Sequence, residues 1–358
     1  MDSGFFDRSL VGAGTEFWVN NPSLSELELA LSAGAVGVAS NPGYINALLK
    51  TEPDFVPATA RDVLESSVAG GGEGDDESLA MEVIQRAVSR PLGVFHEKYK
   101  ETGGRYGHVA IQGNPLRNDD PDFMLAEAEK FRLLGENIII KLPATVAGIK
   151  VLEELTARGW STIGTMSFSV DQYIAVAEAH RRGLQRTTKK PRCLITMLPG
   201  MFDEYLAEDA ARRGVEVSPL VLCQAGISTA RAAYRVYRER GYEAIILAGG
   251  ARSMSHWTEL VGEGMAITLS GSLAKKLMEE NPPVENRIEA SAPEDAIREL
   301  RELFPDFVRA CDAEALNPEA FRSYGPVVRF QNSLLGGLET IIKEIKAART
   351  ERSEKLTR

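Results

Sequence analysis

Cysteine is scarce in this chain, whose 358 residues include three cysteines, Cys193, Cys223 and Cys311. Their odd number and their spacing match no disulfide framework, redox pair or metal-binding motif. A small secreted scaffold held together by disulfides is therefore excluded, and we expect a cytoplasmic protein. No cluster of ligand residues with metal-binding spacing is visible elsewhere, so we predict neither a metal nor an organic cofactor.

Positive charge and long apolar runs are also lacking. The formal net charge is −10, and the absence of a sustained basic stripe argues against a nucleic-acid partner. Residues 1–14 contain Asp2 and Asp7 and no apolar run long enough for a signal peptide or a membrane span. We therefore expect no membrane partner, and chemistry on a small molecule is the default function.

Short apolar runs alternate with longer amphipathic stretches, which is the pattern of repeated βα units. The predicted strands are residues 15–20, 35–41, 108–113, 138–142, 161–168, 193–198, 243–249 and 265–270. Eight such strands predict a single α/β (βα)8 TIM barrel. We place the barrel at residues 15–316, after an N-terminal extension of residues 1–14 and before a C-terminal helix and tail of residues 317–358.

Helical signals separate the predicted strands. Ser23 and Glu26 have the spacing of a capping box, and residues 145–158 and 169–182 also predict helices. Residues 69–76, rich in glycine and acidic side chains, are interpreted as a mobile insertion. Apolar residues at helical spacing after residue 317 predict an amphipathic helix that lies across the barrel or docks a second subunit, which is compatible with a homodimer. Residues 347–358 are expected to fray.

Lys141 is a charged residue at the end of an otherwise apolar run, residues 138–140. The run predicts a parallel strand buried on both faces, with Lys141 near its C-terminal end. Burial there would lower the pKa of the amine and leave it neutral enough to attack a carbonyl group and form a Schiff base. The alternative is an amine that reaches solvent from the strand end or pairs with a carboxylate.

Barrel enzymes carry their chemistry at the C-terminal ends of the strands. The candidate site residues there are Asn20, Asn41, Gln112, Lys141, Thr165, Ser167, Phe168 and Arg252. Thr165 and Ser167 could position a water molecule or a carbinolamine hydroxyl group, although strand hydroxyls often bond only to the backbone. Asn41 could orient a substrate hydroxyl group or simply serve the turn before Pro42.

Four sequence blocks resemble the transaldolase family, which includes the small fructose-6-phosphate aldolases. Residues 38–42, ending in Asn41-Pro42, are similar to the family's Thr-Thr-Asn-Pro. Residues 140–149 resemble the motif around its Schiff-base lysine, and residues 165–172 resemble its Thr-x-x-Phe-Ser-x-x-Gln. Residues 233–252 are similar to the segment that delivers a phosphate-binding arginine. The resemblance implies a barrel whose Schiff-base lysine is Lys141 and whose anion-binding residue is Arg252, acting on a sugar or sugar phosphate.

Two departures from the family concern proton transfer. Where the family has an aspartate after strand one and a glutamate after strand three, this sequence has Asn20 and Gln112. An amide keeps the size and hydrogen bonding of the acid but neither accepts nor releases a proton near neutral pH. General acid–base catalysis contributes roughly 10²–10⁴-fold, so we expect ordinary transaldolation to be slow. Candidate replacements are Asp203, Glu204, His256 and Tyr324.

Phosphate recognition also departs from the family. Met201 stands where the family has an arginine, and Leu198 stands where the small aldolases have a tyrosine acid. A charge-assisted hydrogen bond contributes about 1.5–3 kcal/mol, so one lost arginine weakens phosphosugar binding by roughly 10- to 100-fold. The sequence leaves open whether the substrate carries a phosphate.

Two functions follow from these features. The first is a diverged transaldolase-like enzyme that forms a Schiff base through Lys141 with a ketose-like or other carbonyl substrate and makes or breaks a carbon–carbon bond. The alternative is a barrel that has lost catalysis and binds a small molecule or a partner protein, as the amides Asn20 and Gln112 suggest. Lys141 argues against the alternative, because a buried amine without a use is costly.

Overall fold

The computed structural model describes residues 4–357. Its eight parallel strands close into a barrel in which each strand pairs with the next and the last pairs with the first. The strands are β1 Glu16–Asn20, β2 Gly37–Ala39, β3 His108–Gln112, β4 Ile138–Pro143, β5 Thr162–Ser167, β6 Cys193–Met197, β7 Ile245–Ala248 and β8 Met265–Leu269. The predicted (βα)8 barrel is confirmed, and each strand coincides with a predicted one to within a few residues.

Helices surround the barrel and follow it to the C-terminus. They are α1 Phe5–Ala13, α2 Leu24–Ser32, α3 Tyr44–Thr51, α4 Phe55–Ala69, α5 Asp76–Glu101, α6 Pro121–Arg132, α7 Val146–Ala157, α8 Val170–Leu184, α9 Pro199–Arg213, α10 Pro219–Arg240, α11 Ser255–Thr258, α12 Gly271–Glu280, α13 Glu294–Leu303, α14 Pro305–Cys311 and α15 Gly325–Leu356. Two 3₁₀ turns, Pro115–Arg117 and Pro318–Ser323, connect them. Within residues 4–357, no helix has both the length and the apolar character needed to cross a membrane.

Side-chain caps fix the start of several helices. Ser23 and Glu26 form the predicted capping box of α2, in which each side chain accepts a hydrogen bond from the other residue's backbone. Thr145 caps α7 through the backbone N–H of Gly148, and Ser169 caps α8 through that of Gln172. Each cap directly follows a strand, so it fixes where the chain turns away from the C-terminal end of the barrel.

The barrel interior is filled by an apolar layer from alternating strand positions, as the two-residue period of a strand requires. This inner layer contains Trp18, Ala110, Ile139, Ile163, Leu194, Leu247 and Ala266. Below it, Glu16 pairs with Arg192 at 2.5 Å and accepts a hydrogen bond from the Trp18 indole. The barrel is thus filled at its N-terminal end, which leaves the C-terminal ends of the strands as the open end of its interior.

The N-terminal helix α1 packs against the barrel. The Phe6 ring stacks on Phe17 of β1 with a centroid distance of 4.0 Å and meets Trp257 edge-on at 4.9 Å. Both Phe5 and Phe6 are buried. The described part of the predicted N-terminal extension therefore contributes to the hydrophobic core.

Residues 69–76 form the connection between α4 and α5. Asp75 caps α5 by accepting from the backbone N–H of Ser78, and Arg349 of α15 donates to Asp76 at 2.8 Å and lies 3.5 Å from Glu73. The acidic side chains of the predicted insertion thus cap a helix and pair with an arginine from the C-terminal region, and its mobility stays a prediction.

The C-terminal helix α15 lies across the C-terminal end of the barrel. Gln331 accepts a hydrogen bond from Asn118 at 2.7 Å and donates to the Pro115 carbonyl, while Arg329 pairs with Glu208 at 2.6 Å. The helix extends to Leu356, with Ala348 buried and Arg349 paired with Asp76 at the start of α5, and fraying of residues 347–358 stays a prediction. Its apolar face covers its own barrel, and the homodimer stays a prediction.

Two adjacent glycines test how closely α15 approaches the barrel. A Cβ atom at Gly337 would lie 2.9 Å from the Pro42 carbonyl group, whereas one at Gly336 would meet nothing within 4 Å. We expect Gly337→Ala to lower the free energy of unfolding by about 1–3 kcal/mol through overpacking. Gly336→Ala should raise it by roughly 0.5–1 kcal/mol through helix propensity. Urea denaturation of both variants measures the difference, and equal effects would contradict this close contact.

Candidate active site

A cavity of about 190 Å³ opens at the C-terminal end of the strands. Strand residues in its wall include Asn20, Lys141, Thr196 and Thr268, each two residues after a member of the inner apolar layer. Since strand side chains alternate between faces, this position points each of them into the barrel above that layer. The cavity therefore has a polar wall over an apolar floor.

Lys141 is buried in this wall, with 5 % of its surface exposed. Its Nζ donates one hydrogen bond, to the Ser40 carbonyl at 3.4 Å, and no carboxylate in the described part of the chain pairs with it. Burial lowers the pKa of the amine from its ordinary value near 10.5 to about 8. About one amine in ten is then neutral at pH 7, against roughly three in ten thousand for an exposed lysine. The structure therefore supports neither alternative for Lys141, an amine that reaches solvent or one that pairs with a carboxylate.

Unpaired polar groups lie in the same layer as Lys141. Gln112 is opposite Lys141 in the β3–β4 register, and both atoms of its buried amide lack a hydrogen-bond partner among residues 4–357. The same holds for the buried hydroxyls of Thr165 and Thr196, of which Thr196 lines the cavity. Each unmet group costs about 1–3 kcal/mol, so a polar ligand that reached one of them would be stabilised by a hydrogen bond.

Asparagines line the side of the cavity next to β1 and β2. Asn20 ends β1, and Asn41 follows β2. The Asn41 side chain accepts from the backbone N–H of Gly43 at 2.8 Å, so it serves the turn as well as facing the cavity. Asn21 has a positive φ of 47° and a buried carbonyl oxygen without a partner. The sequence singled out Asn20 and Asn41 but missed Asn21 as a site residue.

Arg252 lines the cavity and also belongs to an ion-pair network. Its Nε donates to Glu204 at 2.7 Å, and its guanidinium group is about half exposed. Glu204 also pairs with Arg329 of α15 at 3.2 Å. The cavity thus has a cation at its edge whose charge is partly offset by a carboxylate, and the same carboxylate links the cavity edge to α15.

Four predicted site residues do not line the cavity, namely Gln112, Thr165, Ser167 and Phe168. The last two support its wall. The Ser167 hydroxyl donates to the Thr196 carbonyl at 2.7 Å. The Phe168 ring meets Phe330 of α15 edge-on at a centroid distance of 6.3 Å. Ser167 therefore fixes β6, which carries Thr196, and Phe168 supports the helix that covers the cavity.

The predicted replacement acids and bases also lie outside the cavity lining. Asp203 and His256 form a buried pair at 2.9 Å, in which burial raises the pKa of Asp203 and the histidine opposes that rise. Nδ1 of His256 accepts from the backbone N–H of Arg252, so the pair holds the loop that carries this arginine. The Tyr324 hydroxyl donates to the Asp306 carbonyl. Glu204 alone among the four candidates bonds to a cavity-lining side chain.

Residues 17–312, most of the chain, match the family model described as Transaldolase/Fructose-6-phosphate aldolase. The chain belongs to this family. It is similar to Transaldolase 1 of Streptomyces avermitilis, with 26% identity over 265 residues that cover 70% of this chain and 65% of that protein. A transaldolase of Arthrobacter sp. (strain FB24) is 26% identical over 65% of this chain and 64% of its own length. One of Mycolicibacterium paratuberculosis is 27% identical over 64% of each chain. The chain thus spans just under two thirds of the length of these relatives.

Several cavity residues of this family member were not predicted. Thr196 and Thr268 are the single hydroxyl residues in the apolar runs Cys193–Met197 and Met265–Leu269, at the same alternating position as Lys141, so the pattern could have found them. Phe330 and Ser333 of α15 close the cavity from above. Phe330 lies on the predicted apolar face of that helix, so its spacing could have found it, whereas no sequence signal placed Ser333 over the cavity.

Metal ligands are not grouped in this member of the transaldolase family. Among residues 4–357, no set of three histidine, cysteine, aspartate or glutamate side chains is placed to hold a metal ion. The functional groups that line the cavity include the amine of Lys141, the amide of Asn20 and the hydroxyls of Thr196 and Thr268.

Burial of the charged Lys141 amine should lower the stability of the folded protein. Because the folded protein depresses the pKa of Lys141 from about 10.5 to about 8, burial of the charged form costs roughly 3 kcal/mol below pH 8. We expect Lys141→Met, which keeps the length of the side chain, to be about 1–3 kcal/mol more stable than wild type at pH 7 in urea denaturation.

The pH dependence of this difference has a defined sign. The unfolded amine holds its proton more tightly than the folded amine, so the wild-type protein gains stability from this group as the pH rises from about 8 to 10.5. The advantage of the methionine variant should therefore be largest below pH 8 and shrink across that window. A difference in unfolding free energy between the two proteins that stayed the same at every pH would contradict desolvation of the Lys141 amine.

Proposed function

We propose that this protein is a diverged transaldolase-like enzyme in which Lys141 forms a Schiff base with a ketose-like or other carbonyl substrate and makes or breaks a carbon–carbon bond. The observation that carries the proposal is the buried Lys141 amine in a cavity wall, without a carboxylate partner and with a pKa lowered to about 8. A neutral amine is the nucleophile that Schiff-base formation requires.

The steps follow from this amine. Its lone pair attacks the carbonyl carbon, the resulting carbinolamine loses water, and the protonated imine withdraws electrons from the adjacent carbon–carbon bond as that bond breaks. Proton return to carbon and hydrolysis of the imine release the product and restore the amine. The unpaired groups of Gln112, Thr165 and Thr196 support hydrogen bonding to the carbinolamine hydroxyl group.

Proton transfer distinguishes this protein from an ordinary transaldolase. Asn20 and Gln112 occupy inward positions at the ends of β1 and β3, where an amide can orient a water molecule or a hydroxyl group but cannot exchange a proton. The proton must then pass through water, through the substrate itself or through Glu204 at the cavity edge. Because these two positions cannot exchange protons, we expect the enzyme to accept few substrates or to catalyse a carbonyl reaction other than transaldolation.

The cavity also bears on substrate choice. Its volume of about 190 Å³ is below the roughly 300–1,000 Å³ typical of sites for drug-sized ligands, which favours a short carbonyl compound. Arg252 can receive an anionic group at the edge, but Glu204 competes for it and Met201 adds an apolar surface beside it. We infer a sugar-like substrate for which a phosphate group is optional. The cytoplasmic location remains a prediction.

The second candidate function is a small-molecule or protein-binding barrel without catalysis. The amides Asn20 and Gln112 favour it, because the Asn20 amide and the hydroxyls of Thr196 and Thr268 line the cavity and could hold a polar ligand without any proton transfer. Reactivity of the Lys141 amine separates the two functions, since a binding barrel has no need of an imine.

Borohydride trapping tests the proposed imine. Wild-type protein is incubated with ketoses, ketose phosphates, aldehydes and α-keto acids, reduced, and examined by intact mass and peptide mapping. We expect a covalent mass gain confined to Lys141, with a yield that rises with pH through about 8 as the amine loses its proton.

Two lysine variants control this experiment. Lys141→Ala should abolish the adduct, whereas Lys150→Ala, which removes an exposed lysine from α7, should leave it unchanged. An adduct spread over surface lysines, or none with any compound of the panel, would favour the binding barrel.

Restoring the two carboxylates tests the proposed loss of acid–base catalysis. We expect wild type to convert fructose 6-phosphate and erythrose 4-phosphate slowly, and Asn20→Asp combined with Gln112→Glu to raise kcat at least tenfold, within the roughly 10²–10⁴-fold range of such groups. Coupled-enzyme assays measure both rates. Asn21→Asp is the matched control, because it adds the same charge to the cavity one residue further along. Ordinary transaldolase rates in wild type would refute the divergence.

A further inference from the structure

A second, larger cavity lies outside the barrel, in a groove formed by α10, α13, α14 and residues 290–292. Its volume is about 740 Å³, and its lining shares no residue with that of the barrel cavity. Volumes of roughly 300–1,000 Å³ are typical of small-molecule sites. We refer to it as the α10 groove.

Polar groups without partners lie on the α10 side of this groove. Ser228 is more than nine-tenths buried, and its hydroxyl oxygen has no hydrogen-bond partner in the described part of the chain. Arg231 follows one helical turn later and is also more than nine-tenths buried, and its Nε has no partner there either. The hydrogen bonds that hold this guanidinium group, to Glu259 and to the Arg287 carbonyl, all come from Nη2. Donors therefore remain free on a fixed, buried arginine.

A third donor follows on the same helix face. Arg235 lies one further turn along α10, lines the groove, and forms no ion pair or side-chain hydrogen bond within residues 4–357. The other cations of the groove are paired, Arg231 with Glu259 at 2.7 Å, Arg301 with Asp312 at 2.6 Å and Arg298 with Asp295. Within residues 4–357, the unpaired positive charge of the groove therefore lies on Arg235, beside the free Nε donor of Arg231.

The opposite side of the groove has a different character. Ile297 and Phe307 present apolar surface, while the exposed Glu294 and Glu302 add negative charge. These two carboxylates disfavour a ligand that carries several negative charges. A ligand that has one anionic group and is otherwise apolar would fit both sides of the groove.

We propose that the α10 groove is a binding site for a small amphipathic anion, an organic carboxylate or phosphate monoester. Its anionic group is held by Ser228, Arg231 and Arg235, and its apolar part lies against Ile297 and Phe307. Charge-assisted hydrogen bonds to arginine are among the strongest that a protein forms with such groups. The site is independent of the Schiff-base proposal, because no groove residue reaches the barrel cavity.

Phenyl phosphate and benzoate are the probes, with benzylamine as a cation of similar shape and fructose 1,6-bisphosphate as a polyanion. Isothermal titration of the full chain should show saturable binding of phenyl phosphate or benzoate at one site, and at least tenfold weaker binding of benzylamine and of the bisphosphate. Stronger binding of one anion than of the other identifies the preferred headgroup.

Point variants assign the binding to the groove. Arg235→Gln removes an exposed, unpaired cation and should weaken binding of the preferred anion about tenfold, and Ser228→Ala should weaken it severalfold without loss of folding. Arg238→Gln is the matched control, an exposed arginine of α10 that does not line the groove, and should change nothing.

Arg252→Gln separates the two cavities. Binding that survives this change and is lost in Arg235→Gln belongs to the groove, whatever the outcome of trapping at Lys141. The reverse result would place the anion in the barrel cavity and overturn the proposal. Absence of saturation at 20 mM of either anion, or equal binding of benzylamine, would overturn it as well.

Discussion

A lysine amine held inside a barrel without a counter-ion is the constraint on which the rest of this site depends. Desolvation causes its lowered pKa, so the shift lasts only while water and carboxylates are kept away. The apolar layer below, which includes Ile139 of the same strand, excludes water from one side. The amides Asn20 and Gln112 at the ends of β1 and β3 also place no negative charge beside the amine that would restore its ordinary pKa.

The upper boundary of the cavity is made by a part of the chain far from the strands in sequence. Helix α15 contributes Phe330 and Ser333 to the lining, and Arg329 pairs with Glu204, which also holds Arg252. Phe168 supports Phe330 from the end of β5. The position of the cover and the position of the cavity-edge cation are therefore linked through one shared carboxylate.

The barrel and much of its polar layer could be predicted from the sequence, because alternating burial has a period of two residues that a short run displays directly. Lys141, Asn20 and Gln112 follow this period from the inner apolar layer. Ser167 does not, because a register shift in β5, accompanied by a positive φ at Met166, interrupts the alternation and leaves its hydroxyl bonded to the Thr196 carbonyl. Such a bulge has no signature in the residues around it.

Contacts between elements that are distant in the chain could not be predicted from the sequence either. The pairing of Arg252 with Glu204 and the α10 groove depend on how helices from separate parts of the chain come together, which periodicity does not record. The family resemblance covers the barrel, to residue 312, and so stops before the helix that covers the cavity.

That order along the chain has a consequence for biosynthesis. The strands that form the barrel are all translated before α15, so a nascent chain can close the barrel while its cover is still inside the ribosome. At that stage the Lys141 amine is more hydrated and keeps more of its proton. If Lys141 acts as proposed, a carbonyl compound would then meet an ammonium group rather than a neutral amine until the last helix docks.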